Sequence, residues 1–204
     1  MGLPARNRSE GFRSLPETAL ARLGIIWGSL QRPERIQSSK GMQLDGAQPI
    51  RATVTVRSDP ARAFELFTAQ MGKWWPLESY SRAVNEFAHE DVGVSELMFE
   101  ARMGGTILER MTDGRVLPWA EVLAWQPPQR VVLSWRPHSL PEPPTELEVT
   151  FAAHEDGTSI EVEHRGWERL SEEFRAGMYE IYERGWPFTL ECFVAETDQD
   201  NASP

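Results

Sequence analysis

The sequence has almost no cysteine and no long apolar run. Cys192 is the only cysteine among 204 residues, which excludes an internal disulfide and fits a reducing compartment, so we expect a cytoplasmic protein. This thiol falls within a helical pattern, where its expected role is that of a small buried hydrophobe. No apolar stretch approaches the roughly 18 residues of a transmembrane helix, so we expect no stable insertion into a membrane.

The sequence also lacks the motifs of several catalytic and metal-binding classes. A Gly-x-Ser-x-Gly nucleophile elbow is absent, and residues 103–105 (MGG) are typical of a hairpin turn rather than a phosphate-binding loop. Two His-Glu-Asp triplets, at 89–91 and 154–156, fall in loops or turns and lack the ligand spacing of a zinc site. We therefore expect neither a metal nor a cofactor. The net charge of −10 argues against nucleic acid as a partner.

The charges are distributed unevenly along the chain. Residues 1–40 contain seven Lys/Arg and three Asp/Glu, a net charge of +4. This leaves 14 Lys/Arg and 28 Asp/Glu, a net charge of −14, for residues 41–204. The change marks a boundary near Gly41, and the acidic part could meet a basic surface on a protein partner.

The chain divides into three predicted parts. Residues 1–47 are predicted to be a basic leader, disordered or weakly helical, while a translation start at Met42 and an Arg-rich targeting peptide are the alternatives. Residues 48–198 are predicted to form one folded domain, and residues 199–204 a disordered tail. None of these alternatives gives the leader a chemical role.

Strand patterns dominate the predicted domain. Alternation predicts a first strand at 50–57 (IRATVTVR), and Ser58-Asp59-Pro60 is typical of a helix entry. Residues 77–94 are predicted to be a loop. Turns rich in glycine and proline then separate six further strands, at 96–103, 106–111, 117–125, 130–135, 146–153 and 159–164. This order predicts an α+β fold with a curved antiparallel sheet.

The longest helical pattern covers residues 171–197. Ser171 is predicted to cap its N-terminus, since acidic residues follow in the first turn. Apolar residues recur at helical spacing and predict a face that is buried against the sheet. We expect Pro187 to bend or interrupt this helix, because proline cannot donate the i−4 hydrogen bond. We expect Trp186, the residue before this proline, to lie near a pocket.

One face of the sheet is predicted to be apolar and the other acidic. Leu147, Val149 and Phe151 alternate with polar residues, and the strand at 159–164 follows the same rule. The apolar face is expected to meet the long helix. The acidic face is expected to be solvated, so its glutamates are interpreted as surface residues rather than a catalytic pair.

Two residues are candidates for acid–base chemistry. His164 shares the parity of the apolar face, where it could bind a ligand or act as a general base. The alternative is a hydrogen-bonded structural histidine near the strand end. Glu121 shares the parity of Trp119 and Trp125, and an inward carboxylate among aromatic rings would have a raised pKa. The alternative for Glu121, which we favour, is a solvated side chain.

Several short motifs occur in an order that resembles a known superfamily. They are PARAFELFT at 60–68 with WWP at 74–76, FEARMGG at 99–105, EVLAWQPPQRVVLSW at 121–135, TELEVTFAAHEDGTSIEVEHRGW at 145–167 and GWP at 185–187. Together they resemble the SRPBCC or START-like superfamily, within it the branch of the heat-shock-protein-90 ATPase activator homologues. The resemblance covers about residues 50–197. The leader at 1–47 lies outside it, and residues 77–94 match it poorly.

This resemblance implies a helix-grip fold, in which a curved antiparallel sheet of about six to seven strands wraps around a long C-terminal helix. Such domains commonly keep a hydrophobic cavity and bind lipids, polyketides or other apolar molecules. A few catalyse cyclisation or dehydration, but the branch has no shared catalytic motif. The implied function is the non-catalytic binding of a small apolar molecule. The alternatives are a cyclase- or dehydratase-type enzyme and a co-chaperone-like interaction module.

Aromatic residues supply the candidate ligand site. The tryptophans are numerous for one small domain, and they either fill the core or line a pocket. We select six residues of the sheet and the helix as candidates for ligand contact: Phe99, Trp119, Leu133, His164, Trp186 and Leu190. An enzyme of the cyclase type would use His164 or Glu121 as its acid or base. An interaction module would have a chaperone or a second copy of the chain as its partner.

Overall fold

The computed structural model describes residues 48–202, in which one strand and four helices precede a run of six strands and a long C-terminal helix. In chain order the elements are β1 Ile50–Val56, α1 Pro60–Phe67, α2 Met71–Trp74, α3 Leu77–Tyr80, α4 Arg82–Glu86, β2 Val94–Phe99, β3 Thr106–Met111, β4 Val116–Gln126, β5 Arg130–Trp135, β6 Thr145–His154, β7 Gly157–Arg165, a 3₁₀ turn Trp167–Arg169 and α5 Glu172–Ala202. The predicted leader at 1–47 lies outside the described residues.

The seven strands form one antiparallel sheet in the order β1-β7-β6-β5-β4-β3-β2. Strands β2 to β7 follow one another in the sheet and are connected by turns or loops. Strand β1 lies at the other edge of the sheet and pairs with β7, from Ile50 opposite His164 to Val56 opposite Thr158. The sheet curls around α5. The predicted α+β helix-grip fold is therefore confirmed.

Irregular pairing bends the β2–β3–β4 half of the sheet. The register shifts between Ile107 and Leu108, where the partners on β4 are Ala120 and Pro118, so Trp119 is an extra residue on its strand. A bulge of this kind increases the local twist and resets the alternation of side chains. As a result Trp119 and Ala120 are both buried although they are neighbours in sequence.

The segment 77–94, expected to be a loop, contains α3 and α4. Ser81 caps α4, because its hydroxyl accepts a hydrogen bond from the Val84 amide at 3.1 Å. The carboxylate of Glu109 accepts hydrogen bonds from the amides of Arg82 and Ala83, each at 2.9 Å. Helices of four or five residues are too short to produce a helical period in the sequence, which is why the loop prediction was wrong here.

The core lies between the inner face of the sheet and α5. Val149 and Val162 are fully buried on the sheet. On the helix, the Phe193 ring lies 5.2 Å from the Phe67 ring and 5.1 Å from the Trp74 ring. The expected apolar face thus meets the helix, and α1 and α2 close one end of the core.

The outer face of the sheet is an array of ion pairs. The glutamates predicted to be solvated do point outward, but each lies beside an arginine. Arg130 pairs with Glu148 at 2.5 Å, and Arg165 bridges Glu148 and Glu163, each at 2.9 Å. Arg51 extends the array across β7 and β1 through Glu161 at 2.5 Å. The face is therefore a mixed ionic surface rather than a uniformly acidic one.

Helix α5 begins directly after Ser171, the predicted N-cap residue. The Ser171 carbonyl accepts the first helical hydrogen bonds, from Phe174 and Arg175. Its hydroxyl, however, donates to Glu142 Oε1 at 2.8 Å, and its amide donates to Glu142 Oε2 at 2.9 Å. Ser171 therefore occupies the predicted N-cap position, and Glu142, a buried glutamate from the proline-rich loop before β6, holds its side chain.

Helix α5 continues without interruption through Pro187. The predicted interruption is therefore wrong, whereas a bend stays a prediction. Pro187 and the residue four positions earlier, Glu183, are both exposed. Water can accordingly satisfy the Glu183 carbonyl that Pro187 leaves without a donor, which explains why the helix tolerates proline at this point.

The C-terminal end of α5 reaches Ala202, beyond the predicted limit of the domain at residue 198. Arg62 Nε donates to Asp200 Oδ2 at 2.7 Å, and Ser58 Oγ donates to Asn201 Oδ1 at 3.3 Å. These contacts fix the last turns of the helix against the start of α1. The prediction of a disordered tail is therefore wrong for residues 199–202.

Candidate functional site

The six residues selected from the sequence do not gather around one open pocket. Five of them are buried in the core: Trp119, Leu133, His164, Trp186 and Leu190. Their neighbourhood is filled by aromatic rings, with Trp135 lying 6.0 Å from Trp186 between ring centroids. Phe99 lies apart from the five, partly exposed, with its ring 6.1 Å from that of Trp125. That these residues bind a ligand stays a prediction.

His164 is the centre of a buried hydrogen-bonded chain. Trp186 Nε1 donates to His164 Nδ1 at 3.1 Å, and an indole nitrogen can only donate, so Nδ1 is the acceptor. The proton of the neutral ring is therefore on Nε2, which donates to Thr145 Oγ1 at 2.7 Å. Thr145 Oγ1 in turn donates to the Trp135 carbonyl at 3.1 Å. Both ring nitrogens are satisfied, which favours the structural interpretation of this histidine.

Burial also keeps His164 uncharged. The side chain is fully buried, and the loss of hydration lowers the pKa of its imidazole to about 3. A neutral ring that already uses both nitrogens is poorly suited to exchange protons with a ligand. Its part in the fold is to connect β7 with α5 through Trp186 and with β6 through Thr145.

A cavity of about 10 Å³ lies next to this chain, between α5 and the loop after β5. It has room for about one water molecule. His138 and Tyr182 contribute to its walls, and His138 Nδ1 is buried without a hydrogen-bond partner among the described residues. Burial lowers the pKa of His138 to about 4 and raises the pKa of the Tyr182 hydroxyl. A void of this size cannot hold a lipid or a polyketide.

Glu121 lies on the outer, solvent-exposed face of β4, as the favoured interpretation predicted. It does not share the side of Trp119, because the extra residue in β4 reverses the alternation between the two positions. The prediction from parity that Glu121 shares a face with Trp119 is therefore wrong, although the expected solvation is correct. An acid or base at this position cannot reach the core.

Glu109 on β3 is a buried carboxylate that is not among the six candidates selected from the sequence. The residue has no exposed surface, and its carboxylate accepts a third hydrogen bond, from Trp119 Nε1 at 2.9 Å, beside the two from α4. Three donors compensate the loss of hydration, so the group stabilises the start of α4. The sequence does indicate this burial, since Glu109 shares the parity of Ile107 and Met111 on the inner face.

The two His-Glu-Asp triplets lie at the surface. In the first, Glu90 pairs with Arg115 at 2.5 Å. In the second, all three side chains are exposed at the β6–β7 turn, and His154 Nδ1 accepts a hydrogen bond from the Asp156 amide at 3.2 Å.

A surface cleft of about 340 Å³ lies between α1 and the β4–β5 turn. We call it the α1 cleft. Its lining residues are Ala61, Phe64, Glu65, Thr68, Ala69, Ala101, Trp125, Pro127 and Pro128. The Phe64 and Trp125 rings meet edge to face at 4.9 Å and form an aromatic wall. Thr68 Oγ1 already donates to the Phe64 carbonyl at 2.7 Å, so the lining is mainly apolar.

None of the six selected residues lines the α1 cleft, although Phe99 packs behind its wall through Trp125. The sequence of residues 126–129 predicts only a turn. The cleft arises because the two prolines of this turn lie opposite α1, which is about 60 residues earlier in the chain. A separation of this length leaves no trace in local periodicity.

Within the described part of the chain, none of the helices combines the length and hydrophobicity needed to span a bilayer.

Comparison with known proteins gives one family and many similar folds. The sequence model of the family described as Activator of Hsp90 ATPase homolog 1-like protein matches residues 57–195, more than half of the chain. No match was found among curated proteins.

Solved structures share the fold at low sequence identity. A protein from Mesorhizobium loti is 17% identical with a TM-score of 0.54, covering 74% of this chain and 98% of its own. A protein from Nitrosomonas europaea is 15% identical with a TM-score of 0.55, covering 78% and 100%. An AHSA1-like protein from Aeromonas hydrophila is 13% identical with a TM-score of 0.51, covering 76% and 96%. At these identities the likeness concerns the fold.

Proposed function

The chain belongs to the family of Activator of Hsp90 ATPase homolog 1-like proteins, and on that premise we propose that it is a binding module for a small apolar molecule, held in the α1 cleft. The wider helix-grip superfamily that the sequence resembles includes binders of lipids and polyketides. A cytoplasmic location and the binding of a ligand without catalysis belong to the same proposal.

The observation that supports this proposal is the α1 cleft itself. Its volume of about 340 Å³ lies within the roughly 300–1,000 Å³ typical of small-molecule sites. Phe64, Trp125 and the two prolines offer rigid apolar surface, which loses little conformational entropy when a ligand binds. The packed interface around His164 offers no comparable space, so the site we propose differs from the six residues selected from the sequence.

Neither residue considered for acid–base chemistry contributes to the α1 cleft. His164 is enclosed in the core with both ring nitrogens hydrogen-bonded, and Glu121 is on the outer face of the sheet. A reaction in the cleft would need other groups. We therefore propose binding rather than a cyclase or dehydratase activity.

A chaperone partner is the alternative that the family description suggests. That alternative rested on an acidic surface that could attract a basic partner. On the outer face of the sheet, however, Arg51, Arg130 and Arg165 lie among the glutamates and neutralise much of their charge. This mixed charge makes attraction of a basic protein partner weaker. We therefore propose binding of a small molecule in the α1 cleft instead.

Titration with the neutral fluorophore N-phenyl-1-naphthylamine tests the proposal. We expect saturable binding of one molecule, with quenching of tryptophan emission, because Trp125 forms part of the wall. Ala101→Trp fills the cleft from its exposed rim and is expected to weaken binding at least about tenfold, which corresponds to about 1.4 kcal/mol.

The matched control for this substitution is Ala153→Trp, an exposed alanine at the end of β6 that does not line the cleft. It adds the same side chain and is expected to leave the affinity unchanged. The proposal is rejected if the unmodified protein shows no saturable binding, or if both variants bind the fluorophore equally well.

A further inference from the structure

Two carboxylates beside the α1 cleft share one guanidinium. Arg62 on α1 binds Asp200 on α5 through Nε, at 2.7 Å, and through Nη2. Its third nitrogen, Nη1, reaches Glu65 Oε2 at 3.0 Å. The three groups therefore have a combined charge of −1, and Glu65 is the member that lines the cleft.

Arg62 neutralises Asp200 more fully than Glu65. Its paired hydrogen bonds hold the pKa of the Asp200 carboxyl below its usual range, and Asp200 is in turn the main cause of the raised pKa of Arg62. Glu65 receives a single hydrogen bond from Arg62 and another from neutral Gln70 Nε2 at 3.0 Å. Its side chain is 55% exposed, so its charge remains available at the rim.

The lining of the cleft contains no compensating positive group. Among the residues that line it, all within the described part of the chain, Glu65 is the only charged one. An anionic ligand such as a fatty acid would bring a second negative charge to this rim. A cationic head beside Glu65 would instead form an ion pair while the apolar part of the same molecule covers Trp125 and Phe64.

We infer that the α1 cleft selects amphiphiles with a cationic head, such as an alkylammonium group, over neutral and anionic molecules of the same length. This inference rests on the proposed function and adds the class of ligand to it. An ion pair at an exposed rim has a modest effect, so the amine should bind about threefold more tightly than the alcohol. The carboxylate should bind about threefold more weakly than the alcohol.

Competition between N-phenyl-1-naphthylamine and three eight-carbon molecules tests the inference. Octylammonium, octanol and octanoate are compared at pH 7 and low ionic strength, and the expected order of affinity is amine, alcohol, carboxylate. Glu65→Gln keeps the size of the side chain and removes its charge. In this variant the three molecules should bind with nearly equal affinity.

Glu155→Gln is the matched control, because it removes one negative charge from the exposed β6–β7 turn, whose residues do not line the cleft. It should keep the preference for the amine, which separates a local ion pair from attraction to an acidic protein. Raising the salt to about 1 M should reduce the preference in the unmodified protein, since rim charges are then screened.

The outcomes separate the two proposals. If none of the three molecules displaces the fluorophore and the fluorophore itself does not bind, the proposed function and this inference both fail. If octanol competes but the amine does not bind more tightly, or if Glu65→Gln keeps the preference, binding in the cleft stands and the cationic selectivity is overturned. Equal loss of the preference in Glu65→Gln and Glu155→Gln also overturns it.

Discussion

At the scale of single residues, His164 shows how a polar group becomes part of the core. Its two ring nitrogens are used by Trp186 and Thr145, and these contacts require the neutral form with one particular nitrogen protonated. Protonation of the second nitrogen would break the hydrogen bond from Trp186 and leave a charge in an apolar interior. The residue is therefore compatible with the fold only while it is neutral.

This requirement predicts that stability falls as the pH is lowered. The ordinary pKa of histidine, 6.5, applies to the unfolded chain, whereas the pKa of His164 in the folded protein is about 3. The unfolded chain therefore takes up the proton first, and stability is lost as the pH falls from 6.5 towards 3. Between pH 6.5 and 5 this residue should lower the free energy of unfolding by roughly 2 kcal/mol.

Urea denaturation at pH 7 and pH 5 measures this loss. His164→Gln should be less stable at pH 7 but should lose less stability between the two pH values. His138, whose pKa is lowered to about 4, accounts for a loss of the same sign and nearly the same size between these pH values, and that loss remains in this variant. His154→Gln, at the exposed turn, should behave like the unmodified protein. Equal stability of the unmodified protein at the two pH values would contradict the prediction.

Glu109 and Glu121 show which residue-level properties the sequence can predict. Strict alternation in β3 places Glu109 with Ile107 on the inner face, so its burial follows from parity, and the structure agrees. The same rule fails for Glu121, because the extra residue Trp119 interrupts β4. Bulges depend on how two strands pair, and a single strand sequence contains no record of that pairing.

At the scale of secondary structure, α5 combines a long apolar face with a proline in its middle. Apolar residues at helical spacing were sufficient to predict the helix and its burial. The effect of Pro187 was not predictable in the same way, because it depends on the exposure of the missing hydrogen bond. Proline in a helix interior costs about 3 kcal/mol relative to alanine, but solvation of the free carbonyl reduces that cost.

Pro187→Ala is accordingly expected to stabilise the protein by about 1 kcal/mol, because alanine restores the hydrogen bond to the Glu183 carbonyl. Thermal unfolding followed by circular dichroism should show a melting temperature that is higher by a few degrees. Glu191→Ala, at another exposed position of α5, is the control and should change stability little. A clear loss of stability in Pro187→Ala would mean that the proline sets the position of the buried Trp186.

At the scale of the whole molecule, the fold was predictable and the cleft was not. Order and alternation of strands, followed by a long amphipathic helix, allow few arrangements, and the helix-grip fold is one of them. The same sequence pattern is compatible with either a packed or a hollow interior. Packing is decided by how large side chains such as Trp135, Trp167 and Trp186 fill the space against each other. That fit depends on tertiary contacts that periodicity does not describe.

The distribution of charge gives a prediction at the same scale. The acidic chain places several of its glutamates on one face of the sheet, where mutual repulsion would oppose folding without the interleaved arginines. Arg165 lies at the centre, in contact with Glu146, Glu148 and Glu163. Its side chain is 33% exposed, so solvent and salt screen these interactions in part.

Arg165→Met, which keeps an apolar stem and removes the charge, should therefore lower the free energy of unfolding by about 1 kcal/mol at low salt. The effect should shrink at about 1 M sodium chloride, because salt screens both the lost pairs and the remaining repulsion. Arg184→Met is the matched control, since Arg184 forms one exposed pair with Glu180, and its effect should be within about 0.5 kcal/mol of zero. Equal effects of the two substitutions, or a deficit in Arg165→Met that salt does not change, would show that the array contributes packing rather than charge compensation.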